Sequence, residues 1–524
     1  MRENRIIFAS IFFALLVFLY AQHLLLIDQN DDLTVWNLLR DGEYRTLLLS
    51  IPLSCVLVYL YHYLPAMPWY SITLMIFFVA SFWMAMTFAD LFRTRILQLG
   101  SSVFVLIFYI FFAMNLSVTS VTVLLFVTNL LNLGRNVRLF WIMTGLSLLL
   151  RTEIVLGLLP LALLMMFYLS SRGEFQFMQK ANRYALFPVI VYLLNAVPIM
   201  MDSEYSHWLD FNKARAYFID FSGENTTLLS GFQSGAIGVW WIVDEEMLPT
   251  SKVIAAAGNI WTLLAERLRH PQVPAFLGLF FLASLLIVYY AKNRRRALFF
   301  LLILSGYLLL LVNLRDVDRV MIPVMLFAVM FVMYFIDEAK AKSKMAGIAL
   351  LTFLITLWMP KTYMEFQENK LVNKRKHNYS VELQALMAAN HSRIAIPVVF
   401  PVYFINLHEV LNYNGVFDET AWIQWSQAHF YPEGWLARHP YFYKLHNISH
   451  DGTKRRFANF YEFMMDDNTT FLGGNSTNPG LERTQRILLN YYDRTKAHKG
   501  CVHEIVEVNS TLNFKLVKLS KICH

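Results

Sequence analysis

The stretch IIFASIFFALLVFLYAQHLLLI occupies residues 6–27, and DQNDD follows it directly at residues 28–32. The first stretch is long enough to cross a bilayer, which takes about 20 predominantly apolar residues. The second stretch holds acidic and amide side chains, and a charge at the bilayer centre costs about 2.5–3.5 kcal/mol even on the insertion scale. This juxtaposition predicts a membrane helix whose end lies at a membrane–water boundary.

The composition extends this interpretation to most of the chain. Of its 524 residues, 57% are hydrophobic and 16% are charged, whereas an ordinary soluble protein carries about 25% charged residues. No small-residue cleavage site closes residues 6–27, and more apolar stretches follow, so we interpret this segment as a retained first helix and not as a signal peptide. The sequence therefore predicts an all-α, polytopic membrane protein.

The apolar stretches predict about 11 transmembrane helices. They lie near residues 6–27, 71–90, 98–115, 117–133, 139–151, 153–170, 184–201, 275–291, 297–313, 319–336 and 345–359. The net charge of +8 comes mostly from short basic clusters between these stretches, so it indicates membrane orientation and not nucleic-acid binding. The positive-inside rule places these clusters and the N-terminus in the cytoplasm. The extracytoplasmic segments are then 28–70, 202–274, 314–318 and the chain after Pro360.

Residues 43–70 need a separate interpretation. Leu47 to Leu64 is apolar enough to cross, but counting it as a span would turn every later basic cluster outward. The segment also contains Pro52 and His62. We therefore expect residues 43–70 to lie in, or dip into, the outer membrane interface without crossing it.

Residues 360–524 differ in character from the transmembrane domain predicted for residues 1–359. Patterning predicts helices at 381–389 and 481–492, a strand at 393–400 and a hairpin formed by 503–508 and 512–519. Cys501 and Cys523 flank this hairpin, and they can form one disulfide if that end is extracytoplasmic. We expect a small extracytoplasmic α/β domain.

Ionisable side chains near the outer ends of the predicted spans are the candidate functional residues. Acidic residues beside arginines suit sugar transfer from a lipid phosphate, because a carboxylate can act as a general base or hold a divalent cation and arginines bind phosphate. Alone, each arginine could instead be explained by snorkelling or by an ordinary salt bridge. The candidates are Asp31, Asp32, Arg151, Glu153, Arg315 and Arg319, with Asn212, Arg215 and Asp220 in the large loop at 202–274.

The ordered motifs resemble the GT-C superfamily of polytopic glycosyltransferases, and more narrowly bacterial membrane proteins of this type. They are Asn30-Asp31-Asp32, Pro68-Trp69-Tyr70, Arg151 in LSLLLRTE, Phe211-Asn212-Lys-Ala-Arg215 with Asp220, and Arg319-Val-Met-Ile-Pro323, which has valine where that superfamily usually has an aromatic residue.

The resemblance implies a polyprenyl-phosphate sugar donor, a site on the outer face of a bacterial plasma membrane, and a glycan, lipid or protein acceptor. It implies that Asp31 or Asp32 is a base, or that Asp32 binds Mg²⁺ or Mn²⁺. Arg151, Arg315 and Arg319 would hold the donor phosphate.

Three other functions are compatible with the sequence. A glycan polymerase or ligase would use His207 and Arg215 of the large loop, but it leaves the acidic pair without a role. A transporter or flippase of lipid-linked saccharide predicts charged or broken spans and repeated halves, and neither is evident here. A membrane-anchored binding module would not need so many spans.

Overall fold

The computed structural model describes residues 2–26, 31–171, 182–220, 230, 233, 245–257, 298, 301–309, 318–337, 341–389, 394–397, 438–449, 455–474, 488–496, 501–512 and 514–523. The protein is mostly helical. Contacts divide it into two compact units: the first comprises residues 1–198, 264–371 and 415–418, and the second comprises 199–263, 372–414 and 419–524.

The helices and strands have the following bounds. The helices are α1 Arg2–Ala21, α2 Asp31–Arg40, α3 Ile51–Tyr63, α4 Trp69–Ala89, α5 Arg95–Ala113, α6 Val118–Leu131, α7 Val137–Leu150, α8 Thr152–Ser171, α9 Leu186–Met201, α10 Ser203–Asp220, α11 Thr250–Ala257, α12 Asp318–Asp337, α13 Ala341–Ala388, α14 Pro440–Leu445 and α15 Phe460–Met464. The strands are β1 Ile394–Pro397, β2 Thr469–Gly474, β3 Cys501–Ser510 and β4 Phe514–Cys523. Residues 301–309 and 488–495 are also helical.

Four helices in the described part of the chain are long and apolar enough to cross a membrane. They are Asn4–Ala21, Trp69–Ala89, Arg95–Ala113 and Gly347–Leu371, with a fifth if Leu186–Met201 and Ser203–Ala216 together make one broken span. The prediction of about 11 spans is therefore not confirmed, although helices begin and end close to most predicted positions. The predicted span at 275–291 lies outside the described residues.

Helix α6 shows why apolar composition alone does not confirm a span. All 14 of its residues are buried, and it is packed between α4, α7, α8 and α12. A helix enclosed by protein needs apolar side chains on every face, whatever its position relative to lipid. Its hydropathy therefore resembles that of a span, although its length is about 21 Å at 1.5 Å per residue.

Contacts within the first unit define two opposite ends of a helix bundle. At one end, which we call the basic end, the Arg5 guanidinium pairs with Asp90, and Gln98 Nε2 donates to Asp90 Oδ1 at 2.9 Å. The start of α1, the end of α4 and the start of α5 therefore lie together. Arg135 Nη1 donates to the Thr87 carbonyl there at 3.4 Å, which adds the connection between α6 and α7 to this end.

The opposite end, which we call the Asp32 end, lies where α1 finishes and α4 and α6 begin. The Leu116 amide donates to the Leu26 carbonyl at 2.8 Å, and Asp32 contacts residues at the start of both α4 and α6. Successive helices α4 to α8 alternate in direction between these two ends. The basic residues of the connections α4–α5 and α6–α7 consequently share one end, and the acidic motif lies at the other.

Both ends of α3 lie at the Asp32 end. At its start, the Ser50 hydroxyl donates to the Leu149 carbonyl and the Ile51 amide donates to Asn195 Oδ1 at 2.8 Å. At its finish, the Tyr61 hydroxyl accepts a hydrogen bond from the Tyr70 amide at 2.9 Å. The helix has 13 residues, about 20 Å of length, and it passes across this end of the bundle instead of along it.

The second unit contains a four-stranded sheet in the order β1-β2-β4-β3. Strand β1 pairs in parallel with β2, and the other pairings are antiparallel. The β3–β4 hairpin matches the predicted one, and a Cys501–Cys523 disulfide joins its paired ends. Helix α13 continues through Pro360, where the sequence analysis had begun the C-terminal domain. A proline inside a membrane helix is tolerated when neighbouring groups satisfy the freed backbone, so Pro360 did not mark a boundary.

Candidate functional site

The Asp32 carboxylate is held at the N-terminus of the enclosed helix α6. Its side chain is 0% exposed. Its Oδ1 atom accepts a hydrogen bond from the Tyr70 hydroxyl at 2.5 Å and another from the Val118 amide at 2.7 Å. The first amides of a helix have no partner within the helix, and the helix dipole is positive there, so a carboxylate is stabilised at this position.

The remaining groups of this helix terminus are also satisfied locally. Ser117 and Ser120 form a reciprocal capping box, in which Ser117 Oγ accepts from the Ser120 amide at 3.1 Å. The serine spacing gives this terminus a sequence signature. The first turn of α6 is therefore fixed from two sides, by its own serines and by the first turn of α2, which carries Asp32.

Arg151 approaches the same helix terminus from another direction. It is the C-terminal capping residue of α7, and its half-buried guanidinium donates to the Thr119 hydroxyl. Thr119 directly follows Val118, the residue whose amide binds Asp32. The structure thus brings two predicted site residues, far apart in sequence, to adjacent residues of one helical turn.

Arg319 lies at the same end of the bundle. It is half-buried in the first turn of α12, which packs along α6. The far end of α12 is at the basic end, because the Tyr334 ring lies 5.8 Å from that of Phe88 at the end of α4. The start of α12 must therefore be at the Asp32 end.

Three further candidates come from the sequence around the first unit: Glu153, Arg315 and Asp31. Glu153 is exposed in the first turn of α8. Arg315 and the side chain of Asp31 lie outside the described residues.

A divalent metal is not supported by the described residues. Among them, no three His, Cys, Asp or Glu side chains are grouped so that they could hold a metal ion. Asp32 Oδ1 accepts hydrogen bonds from a hydroxyl and an amide. The Mg²⁺ or Mn²⁺ implied by the resemblance stays a prediction, with Asp32 as its possible ligand.

The candidates of the large loop lie in the second unit, on helix α10. Asn212 is buried, and its Nδ2 donates to the Trp208 carbonyl of the same helix at 3.1 Å. Arg215 is 0% exposed, whereas His207 is exposed. The two residues that a polymerase or ligase would use together therefore differ in their access to solvent. The Asp220 side chain lies outside the described residues.

Arg438 is a buried residue that the sequence analysis did not identify. Its guanidinium donates to the Leu248 carbonyl at 2.6 Å and to Thr250 Oγ1 at 3.1 Å, and it lies 4.2 Å from the centre of the Phe211 ring. Its φ of +67° lies in the left-handed region. It joins three segments that are distant in sequence, and no local pattern around residue 438 indicates this role.

A second unpredicted cluster ties the hairpin to the helix at 488–495. His503 Nδ1 lies 2.9 Å from Asp493 Oδ1, and His503 Nε2 lies 2.7 Å from the Tyr461 hydroxyl. Because a carboxylate only accepts hydrogen bonds, Nδ1 carries a proton, and in the neutral ring the tyrosine hydroxyl then donates to Nε2. The ring of His503 is fully buried, so this chain of hydrogen bonds serves first to hold the unit together.

No protein-family model, curated protein or solved structure matches this chain. The resemblance to polytopic glycosyltransferases therefore stays a prediction. The evidence for function is therefore the geometry of Asp32, Arg151 and Arg319 at the Asp32 end.

Proposed function

We propose that this protein is an integral membrane glycosyltransferase. It transfers a sugar from a polyprenyl-phosphate donor to a glycan, lipid or protein acceptor at the outer face of the membrane. The observation that supports this most is the convergence of Asp32 and Arg151 on the first turn of α6, with Arg319 at the same end of the bundle.

The arrangement has the chemistry that a phosphate leaving group needs. Arginine guanidinium groups bind phosphate oxygens through paired hydrogen bonds, and the positive end of the α6 dipole favours an anion nearby. In the proposed reaction, an acceptor hydroxyl attacks the anomeric carbon of the sugar. The bond from that carbon to the phosphate oxygen breaks, the lipid phosphate leaves, and the hydroxyl proton passes to a carboxylate of the acidic pair.

The position of the site also suits a lipid-linked donor. Helix α3 passes across the Asp32 end and exposes Val56, Tyr59 and Tyr63. Apolar and tyrosine side chains concentrate at the boundary between lipid and water. A donor whose tail lies in the bilayer would present its phosphate at this depth.

The orientation is proposed from charge and from the disulfide. Arg5, Arg93, Arg95, Arg135 and Arg138 belong to the basic end, which the positive-inside rule assigns to the cytoplasm. A disulfide such as Cys501–Cys523 is typical of an oxidising compartment outside the cytoplasm. In a Cys55→Ser background, a membrane-impermeant thiol reagent should label Asn115→Cys in intact cells and label Arg93→Cys only after permeabilisation. The opposite result would refute the orientation.

Transfer itself is tested with purified protein in proteoliposomes and a panel of polyprenyl-phosphate sugars labelled in the sugar. Arg151→Met should lower kcat/KM about 10- to 100-fold, because a hydrogen bond to a charged group contributes about 1.5–3 kcal/mol. Arg135→Met is the matched control, since Arg135 is exposed at the basic end. If the labelled sugar crossed the bilayer still attached to its lipid, the protein would be a flippase instead. If Arg151→Met transferred sugar as fast as wild type, the proposed phosphate site would be wrong.

A further inference from the structure

The two carboxylates of the acidic motif need not have the same task, and the contacts of Asp32 indicate which task it has. Its side chain has no exposed surface. Its Oδ1 atom already accepts two hydrogen bonds, from Tyr70 and Val118. A general base must come within about 2.6–3.2 Å of the proton that it removes. The Val118 amide cannot move aside without opening the first turn of α6.

A continuous set of contacts leads from Asp32 to Arg151. Asp32 holds the amide of Val118, and the next residue, Thr119, accepts a hydrogen bond from the Arg151 guanidinium. The Tyr70 hydroxyl donates to the same oxygen of Asp32, and the Tyr70 amide in turn donates to the Tyr61 hydroxyl. The position of the guanidinium therefore depends on the position of this helical turn.

We propose that Asp32 is a positioning residue. Together with Tyr70 it fixes the N-terminus of α6, and through Thr119 it orients Arg151 toward the phosphate of a lipid-linked donor. The proton from the acceptor is then taken by Asp31, the other carboxylate of the pair. This inference rests on the proposed function for the identity of the ligand, but the positioning of Arg151 can be measured without any activity.

The activity-independent experiment measures the reactivity of Arg151 toward phenylglyoxal by mass spectrometry, in protein reconstituted in nanodiscs. Asp32→Ala, Tyr70→Phe and Thr119→Val should each raise its modification rate at least threefold. Asp32→Asn should leave the rate within twofold of wild type, because an amide oxygen can still accept both hydrogen bonds. Thr122→Val is the matched control: its hydroxyl donates to the Val118 carbonyl at 2.6 Å in the same helix and should leave the rate unchanged.

Hydrogen–deuterium exchange at the first amides of α6 checks that each variant keeps its fold. Faster exchange of these amides in Asp32→Ala, with unchanged exchange in α4 and α5, would locate the effect at the helix terminus. An unchanged Arg151 reactivity in both Asp32→Ala and Thr119→Val would overturn the positioning role, whether or not the protein is a glycosyltransferase.

Kinetics then separate positioning from proton transfer. Asp32→Asn should keep kcat within about tenfold of wild type with little change in the KM for the donor. Asp32→Ala, which releases Arg151, should raise that KM, whereas Asp31→Asn should lower kcat at least 1000-fold. A loss of that size in Asp32→Asn with an unchanged donor KM would make Asp32 the base and refute the assignment. If wild-type protein transfers no sugar from any donor while the Arg151 reactivities follow the predicted order, the proposed function fails and the positioning role stands.

Discussion

Replacement of Arg438 tests how the second unit holds its large loop. Truncation to alanine removes the donors to the Leu248 carbonyl and to Thr250 Oγ1. An unsatisfied buried group costs about 1–3 kcal/mol, and the lost contact with the Phe211 ring costs about 0.5–2 kcal/mol. Glu245 is 39% exposed, so its ion pair with Arg438 adds about 1 kcal/mol or less. We expect Arg438→Ala to lower the local stability by about 3–5 kcal/mol.

The backbone of Arg438 provides an internal comparison. A left-handed conformation costs a residue with a Cβ atom about 1–2 kcal/mol, and glycine avoids this cost but loses more entropy on folding. Arg438→Gly should therefore be about 1 kcal/mol less destabilising than Arg438→Ala. A measured order with glycine as the more harmful replacement would contradict the role assigned to the φ of +67°.

The assay is hydrogen–deuterium exchange of the amides in α10 and α11, with the protein in nanodiscs. A loss of about 3 kcal/mol should accelerate exchange roughly 100-fold, since 1.4 kcal/mol corresponds to tenfold. Arg456→Ala is the control, because that arginine is 61% exposed and its pair with Asp466 at 2.9 Å should contribute less than about 1 kcal/mol. If Arg438→Ala accelerated this exchange less than threefold, Arg438 would not hold the large loop in the way proposed.

Three further perturbations test other parts of the fold. Replacing Cys501 and Cys523 by serine should destabilise the second unit by about 2–4 kcal/mol in thermal unfolding, and treatment with a reductant should affect only the parent protein. Burial, more than the neighbouring charge of Asp493, raises the pKa of Tyr461 above its ordinary value of 10.0. The unfolded chain therefore loses this proton first, and the free energy of unfolding of the second unit should fall as the pH rises above about 10. Tyr461→Phe should flatten this pH dependence. Gly145→Val should destabilise the first unit by about 1–3 kcal/mol, because a Cβ there would lie 2.3 Å from the Phe187 ring; a thermal midpoint unchanged from wild type would contradict this packing.

The sequence predicted the elements that depend on local composition. The apolar stretch at 71–90 corresponds to α4, the pattern after residue 500 gave the hairpin, and the two late cysteines form a disulfide. Each of these features follows from residues that are close together in the chain or paired by a simple hairpin. The span count is not confirmed, and helices such as α6 show why: they are apolar on every face, as a helix enclosed by protein must be, so hydropathy alone does not identify them as spans.

The candidate site could be predicted in part. Asp32 and Arg151 were selected as ionisable residues beside apolar stretches, and they do meet at one helix terminus. Thr119, the residue between them, carries no distinctive signal, since a threonine in an apolar helix is common. Arg438 was missed because its hydrogen-bond partners, Leu248 and Thr250, lie 190 and 188 residues away in the chain.

The sequence by itself determined that this is a helical protein with segments apolar enough for a membrane, because hydropathy is a property of short stretches. The tertiary structure decided which of those stretches are enclosed by others and that the carboxylate of Asp32 is buried on the amide of Val118. Burial and hydrogen-bond partners depend on residues brought together from distant parts of the chain. No local pattern contains that information.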